Sequence, residues 1–168
     1  MTEEMQKEAF VELVEKNQGI IHKVCNMYCD SSQDRNDLFQ EILLQLWRSY
    51  AHFRGDSRIS TWMYRVALNT AISGLRKRKR REVEQGLTDR EFELAASGPD
   101  REQEEKKKFL YEAIKLLSDV EKAIIMLHLE EHSYDEIASI IGITSNHVGV
   151  KINRIKGKLK KILLPHFT

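Results

Sequence analysis

Proline is nearly absent from this sequence, with 2 among 168 residues, and glycine is sparse at 8. So few chain breakers exclude a loop-rich or collagen-like chain and leave room for long helices. Cysteine is equally scarce. The two present, Cys25 and Cys29, stand four apart in a segment of helical periodicity, where side chains are stacked neighbours suited to packing rather than to a disulfide framework. Reduced thiols are expected. No apolar run is long enough to span a bilayer, so membrane insertion is not expected. The opening residues, MTEEMQKEAF, lack the basic start and apolar segment of a secretory signal, and the expected location is cytoplasmic. Also missing are a phosphate-cradling glycine loop, a nucleophile elbow and a metalloprotease helix motif, so neither enzymatic activity, a cofactor nor a small-molecule substrate is expected. His22, Cys25 and Cys29 fall at i, i+3 and i+7, but structural zinc sites set paired ligands on turns and need a fourth. The expected metal is none.

What the chain does contain is 32% charged and 41% hydrophobic residues, the balance of a soluble globular protein. Its apolar positions recur at three and four residues rather than two, which predicts an all-α fold. The length suits one domain or two small ones. Net charge is only +1, yet the charges are segregated along the chain. From Arg54 to Arg81 there are nine bases against the single acid Asp56, ending in six consecutive bases from Arg76. Glu82 to Glu105 reverses the sign with nine acids against Arg90 and Arg101, contains Ser97-Gly98-Pro99, and shows no sustained apolar periodicity. It reads as a flexible acidic linker. After Thr144 come Lys151, Arg154, Lys156, Lys158, Lys160 and Lys161 with no acid. Two small helical domains follow from this pattern, at 1–81 and 106–168, joined by a linker at 82–105.

A charge run alone usually marks only a solvated face, and the C-terminal half adds the context that raises its meaning. Helices are expected around Phe109 to Leu117 and Val120 to Leu129. Ser133 is placed to cap the next helix, with Glu136 reaching back as a capping box. That helix buries Ile137, Ala138, Ile140 and Ile141, and Gly142 permits the sharp turn that follows. Thr144 is a second N-cap, after which Val148, Ile152, Ile155 and Leu159 recur at four, three and four. Two capped amphipathic helices about a tight turn, the second basic, make a helix-turn-helix. In such a unit the start of the second helix meets base edges in the major groove and later bases hold phosphates. The candidates are therefore Thr144, Ser145, Asn146, His147 and Lys151 for the groove, with Arg154, Lys156 and Lys158 for the backbone.

Leu117-Ser118-Asp119-Val120-Glu121-Lys122, Ser133-Tyr134-Asp135-Glu136-Ile137-Ala138 and Gly142-Ile143-Thr144 together resemble region four of bacterial sigma factors. Asp37-Leu38-Phe39-Gln40-Glu41, leading to Leu46-Trp47, is similar to the polymerase-binding helix of region two. Phe53-Arg54-Gly55-Asp56-Ser57, Thr61-Trp62-Met63-Tyr64-Arg65 and Asn69 resemble its promoter-opening part. Order and spacing match the extracytoplasmic-function group of the sigma-70 family. The resemblance implies a non-catalytic subunit that binds core RNA polymerase at the clamp helices and flap, recognises minus-10 and minus-35 promoter DNA, and is commonly masked by an anti-sigma factor. It also implies a linker that runs towards the RNA exit path.

On that basis Asp37, Leu38, Gln40, Glu41 and Trp47 are the candidate polymerase contacts. Leu38, Ile42 and Leu46 are four apart and can bury one stripe, leaving Asp37, Gln40 and Glu41 accessible. Promoter opening requires a pocket for an unstacked base and a positive groove for phosphates. In a helix from near Ser60, Tyr64, Leu68, Ala71 and Leu75 share one stripe, and Arg65, Asn69 and Arg76 roughly another. The minus-10 candidates are Arg54, Arg65, Asn69, Arg76 and Arg78, with Asn69 leading because an amide both donates and accepts. Trp62 is assigned to the core in preference to a stacking platform.

The chain departs from the family pattern at Asn146 and His147, often Gly-Thr, at Gly149 and Val150, often a basic residue and Ser, and at Ser73, usually Asp. Promoter sequence is therefore not readable by analogy. Gly149 either permits close approach to the DNA backbone or is simply tolerated, at a cost of about 1 kcal/mol relative to Ala. His147 is expected to act as a neutral polar contact. Two other readings compete. A conventional helix-turn-helix regulator would bind duplex operators without polymerase and would not need the Asp37 to Glu41 motif. A helical adaptor with an acidic protein partner would show no salt-dependent nucleic-acid binding.

Overall fold

The computed structural model describes residues 2–84 and 102–167. Among them the chain forms seven helices and no strand: α1 (Glu3–Tyr28), α2 (Ser32–Tyr50), α3 (Ile59–Glu84), α4 (Glu102–Ile114), α5 (Asp119–Leu129), α6 (Tyr134–Ile141) and α7 (Ser145–Phe167). Contacts divide the chain into two compact units, 1–80 and 81–168.

In the first unit, Thr2 and Ser31 cap α1 and α2 through their side-chain oxygens, accepting from Met5 N at 3.2 Å and Asp34 N at 3.1 Å. The short connection between the helices folds α2 back onto α1, against which it packs. α1 is broken at Asn17, whose backbone leaves helical values (φ −123°, ψ 15°) and whose amide donates to Leu13 O at 2.9 Å. A side-chain amide that competes for a helix carbonyl is an ordinary cause of such a break. Ile21, Val24, Cys25 and Tyr28 of α1 are buried, as are Ile42 and Leu46 of α2 and Met63, Tyr64, Ala67, Leu68 and Ala71 of α3. Of the stripe expected on α2, Leu38 is only half-buried.

The second unit packs α7 against α4, α5 and α6, and α5 against α6. Its core takes Ala113 and Ile114 from α4, Ile124 and Leu127 from α5, Ile137 and Ile140 from α6, and the full expected stripe Val148, Ile152, Ile155 and Leu159 from α7. Helix boundaries differ from expectation at both edges of the acidic segment. α3 runs on to Glu84, and α4 begins at Glu102, where Glu104 four residues before Lys108 has the spacing that favours helix. The remainder of the expected linker, 85–101, lies outside the described residues. α4 stops at Ile114 rather than Leu117, because Leu116 N and Leu117 N turn to Ala113 O and Ile114 O in tighter three-residue steps.

A complete reciprocal capping box stands at Ser118, where Glu121 N donates to the hydroxyl at 3.3 Å and Ser118 N to the carboxylate at 3.1 Å. At Ser133, where the sequence pointed to one, the hydroxyl accepts from Glu136 N at 3.1 Å while the Glu136 carboxylate meets His132 Nδ1 at 2.8 Å. Gly142 ends α6 in the left-handed region (φ 88°), its N–H donating to Ala138 O at 2.8 Å, so the turn into α7 takes a conformation that suits glycine.

Candidate polymerase and promoter interfaces

The α2 surface is built by the helix that buries Ile42 and Leu46, which turns Asp37, Gln40 and Glu41 outwards. Glu41 Oε1 accepts from Gln45 Nε2 at 3.1 Å. Leu44, 41% exposed, lies on the same face as Asp37, Gln40 and Glu41, and sequence reasoning missed it. The signal was available in the spacing of seven from Asp37 to Leu44. Trp47 is half-buried and held by rings: Phe10 meets it edge-on at 5.1 Å, and Tyr50 lies 6.4 Å away. It ties the first half of α1 to α2.

The α3 surface starts from the turn at Gly55 (φ 78°) that leads the chain into the helix. Trp62 is 8% exposed and packs on Phe53 at 4.9 Å, so its place is the core. The opposite side of α3 exposes Arg65 and Asn69, four apart, and Ser73, Lys77 and Arg80 extend that face. Lys77 and Arg80 were not singled out in the sequence, although their spacings of 8 and 11 from Asn69 carried the signal. Arg54 is exposed in the preceding loop. The Arg76 side chain lies outside the described residues. Arg78 is held in a two-pronged pair with Asp34, at 3.1 and 3.2 Å, which joins the start of α2 to α3.

On the turn-helix unit, Thr144 Oγ1 accepts from His147 N at 3.2 Å, which occupies the hydroxyl in capping α7. The Ser145 hydroxyl donates to Asp135 of α6. Asn146, His147 and Arg154 are exposed and Lys151 is half-buried. Lys158 donates to Glu121 Oε2 at 2.7 Å. A Cβ at Gly149 would meet the exposed Tyr134 ring at 3.3 Å, a tight contact that the ring relieves by moving a few tenths of an ångström, so α7 passes close to the first residue of α6.

Burial by itself pushes the Glu121 carboxyl up, but hydrogen bonds from Lys158 and Ser118 and the Lys158 charge outweigh it and hold Glu121 below its ordinary value of 4.5. A carboxyl held lower in the folded chain than in the unfolded one adds stability above about pH 4.5, and that stability is lost as pH falls through the depressed folded value. Acid titration of the second unit, followed by helix content, is expected to show this loss. In Glu121→Gln the dependence should flatten below pH 4.5, with lower stability at neutral pH; an unchanged acid profile would refute the assignment.

The His22 ring stacks on Phe39 at 4.8 Å, and both cysteines are free and buried. Burial pushes the Cys25 thiol up to about 11, aided by the Cys29 charge. Cys29 is raised by burial as well. Thiols of this kind are poor nucleophiles. Among the described residues no group of three or more His, Cys, Asp or Glu side chains is arranged to hold a metal ion, and no helix is long and apolar enough to cross a membrane.

Residues 13–81 match the family model of sigma-70 region 2, and residues 110–159 that of sigma-70 region 4. The chain is 30% identical to the ECF RNA polymerase sigma-E factor of Escherichia coli, covering 98% of this chain and 93% of the relative. It is 29% identical to the RNA polymerase sigma-H factor of Pseudomonas aeruginosa over 95% of this chain and 88% of that one. Among solved structures, the sigma factor RpoE from Bartonella quintana, crystallised with the anti-sigma factor NepR, matches with a TM-score of 0.67 at 19% identity over 94% of this chain and 95% of that one. CnrH in complex with the cytosolic domain of CnrY gives 0.63 at 18%, over 94% and 88%. Two helical units, one with an acidic helix face and a basic helix and the other with a basic turn-helix, are the two DNA- and polymerase-binding regions of a transcription initiation factor. The chain belongs to the sigma-70 family of RNA polymerase sigma factors, in its extracytoplasmic-function group.

Proposed function

We propose that the first unit binds core RNA polymerase through Asp37, Gln40, Glu41 and Leu44 of α2 and captures the opened minus-10 element on the Arg65–Asn69 face of α3, while the second unit reads the minus-35 element with the start of α7. The observation that carries this reading is the shared exposed face of Arg65 and Asn69, directed away from a core that keeps Trp62 and Tyr64. A guanidinium supplies phosphate affinity without sequence preference, and a neighbouring amide reads a base edge. Thr144 and Ser145 serve the reading by fixing the start of α7, since their hydroxyls are engaged within the unit. Lys158, turned to Glu121, positions α7 against α5. The sigma factor supplies recognition and the polymerase supplies catalysis. It acts in the cytoplasm, where its partners are core polymerase, promoter DNA and an anti-sigma factor. The two structural relatives were both solved in complexes of this last kind, RpoE with the anti-sigma factor NepR and CnrH with CnrY.

The test combines purified protein with sigma-free core polymerase and a genomic promoter library, and maps transcript 5′ ends. Start sites sharing paired upstream elements are expected, and Asn69→Ala should reduce initiation at them at least tenfold, the scale of one good base contact. No initiation with core polymerase, together with selection of duplex sites by the protein alone, would replace this reading with that of a conventional helix-turn-helix regulator.

A further inference from the structure

The buried stripe of α7, Val148, Ile152, Ile155 and Leu159, fixes which line of that helix points directly away from the second unit. At 3.6 residues per turn that outermost line is Asn146, Val150, Asn153 and Gly157, spaced four, three and four. Asn146 and Asn153 are exposed, Val150 is 47% exposed, and nothing lies within 4 Å of a Cβ added at Gly157. Cations of α7 stand beside the line, Lys151 and Arg154 on one flank, with Lys158 turned to Glu121, and Lys156 and Lys160 on the other, while Lys161 continues the line one turn beyond Gly157. The ridge is thus amide, aliphatic, amide, and then bare backbone, with positive charge along both sides.

This geometry separates two tasks on one helix. Flanking cations meet the phosphate walls of a groove, and the central line meets base edges. Reading guanine in the major groove relies chiefly on an arginine or lysine aimed at O6 and N7, and no such side chain stands on the ridge from Asn146 to Gly157, the part nearest the helix start. Asparagine pairs through two hydrogen bonds with adenine N6 and N7, and an aliphatic side chain matches only one major-groove feature, the C5 methyl of thymine. We propose that Val150 is a specificity-determining residue that packs on a thymine methyl in the minus-35 element, with Asn146 or Asn153 reading an adjacent adenine. The inference rests on the reading of α7 as the minus-35 helix.

The experiment uses full-length protein bound to core polymerase and a promoter taken from the start-site map. Each minus-35 thymine is replaced singly by deoxyuridine, which removes the methyl and leaves every hydrogen-bonding group in place. At one position the wild type should lose about fourfold in affinity, the worth of one buried CH₂-sized group. Val150→Ala should bind deoxyuridine and thymine there equally, with a salt dependence equal to that of the wild type. Arg154→Ala, by contrast, should lower the log–log salt slope by about 1 while keeping the methyl preference. Asn146→Ala or Asn153→Ala should relax an adenine preference about tenfold or more. If scrambling the whole upstream element leaves binding unchanged, the minus-35 reading itself fails. If the element matters but no deoxyuridine does, or if Val150→Ala keeps the methyl preference, the role of Val150 is overturned and the minus-35 reading stands.

Discussion

Charge reversal at two positions of α2, Asp37→Lys with Glu41→Lys, should abolish promoter-dependent transcription while leaving the fold intact. Both side chains are exposed, and neither belongs to the core that Ile42 and Leu46 make with α1 and α3. Glu41 takes an exposed bond from Gln45, and exposed pairs of this kind contribute little to stability. Thermal melting should therefore move by no more than a few degrees. At an interface the same change acts differently, since a like charge set against a partner's cation costs several kcal/mol, which corresponds to roughly a hundredfold or more in Kd. Fluorescence anisotropy with labelled protein and core polymerase measures the affinity, and circular dichroism checks the fold. Core binding within threefold of wild type would rule out this face as the docking surface.

Truncation of a single core side chain in α7, Ile152→Ala, should remove upstream-element recognition by another route. Ile152 is fully buried in the second unit. Its replacement leaves a cavity and costs about 2–5 kcal/mol, a large fraction of the 5–15 kcal/mol typical of a whole domain. The expected result in full-length protein is a urea transition for the second unit at markedly lower denaturant, with helix content lost in two steps. Core binding through α2 should persist, since Ile152 belongs to the other unit. A single transition at the wild-type midpoint would show that the stripe does not carry the stability assigned to it.

Much of the second unit could be read from the amino-acid order because its determinants are local. The four residues of the α7 stripe are all buried, Ser133 caps α6, and Gly142 takes the left-handed turn. The all-α fold followed from the same periodicity. Pairings between distant residues were not legible. Asp34 and Arg78 meet across 44 positions, Glu121 and Lys158 across 37, and neither sequence context marks one charge as the other's partner. Arg78 was therefore read from the sequence as a minus-10 candidate alongside Arg76, with no sign of the Asp34 carboxylate that it pairs with. Gly149 presented two readings in the sequence, and the Tyr134 ring that a Cβ there would crowd lies 15 residues before it on another helix. Helix ends at the acidic segment were misjudged for a related reason, since spacing that favours a helix can outlast the apolar pattern.

The break at Asn17 gives α1 two allegiances. Its later half, from Ile21 to Tyr28, is sealed into the core, whereas its earlier half has no fully buried residue: Phe10 packs on Trp47 and Tyr50, and Leu13 and Val14 are half-buried. A segment held by half-buried side chains opens at less cost than one woven through a core. The amides of the first half of α1 are therefore expected to exchange with solvent faster than those from Ile21 to Tyr28, which hydrogen-exchange measurements would read directly.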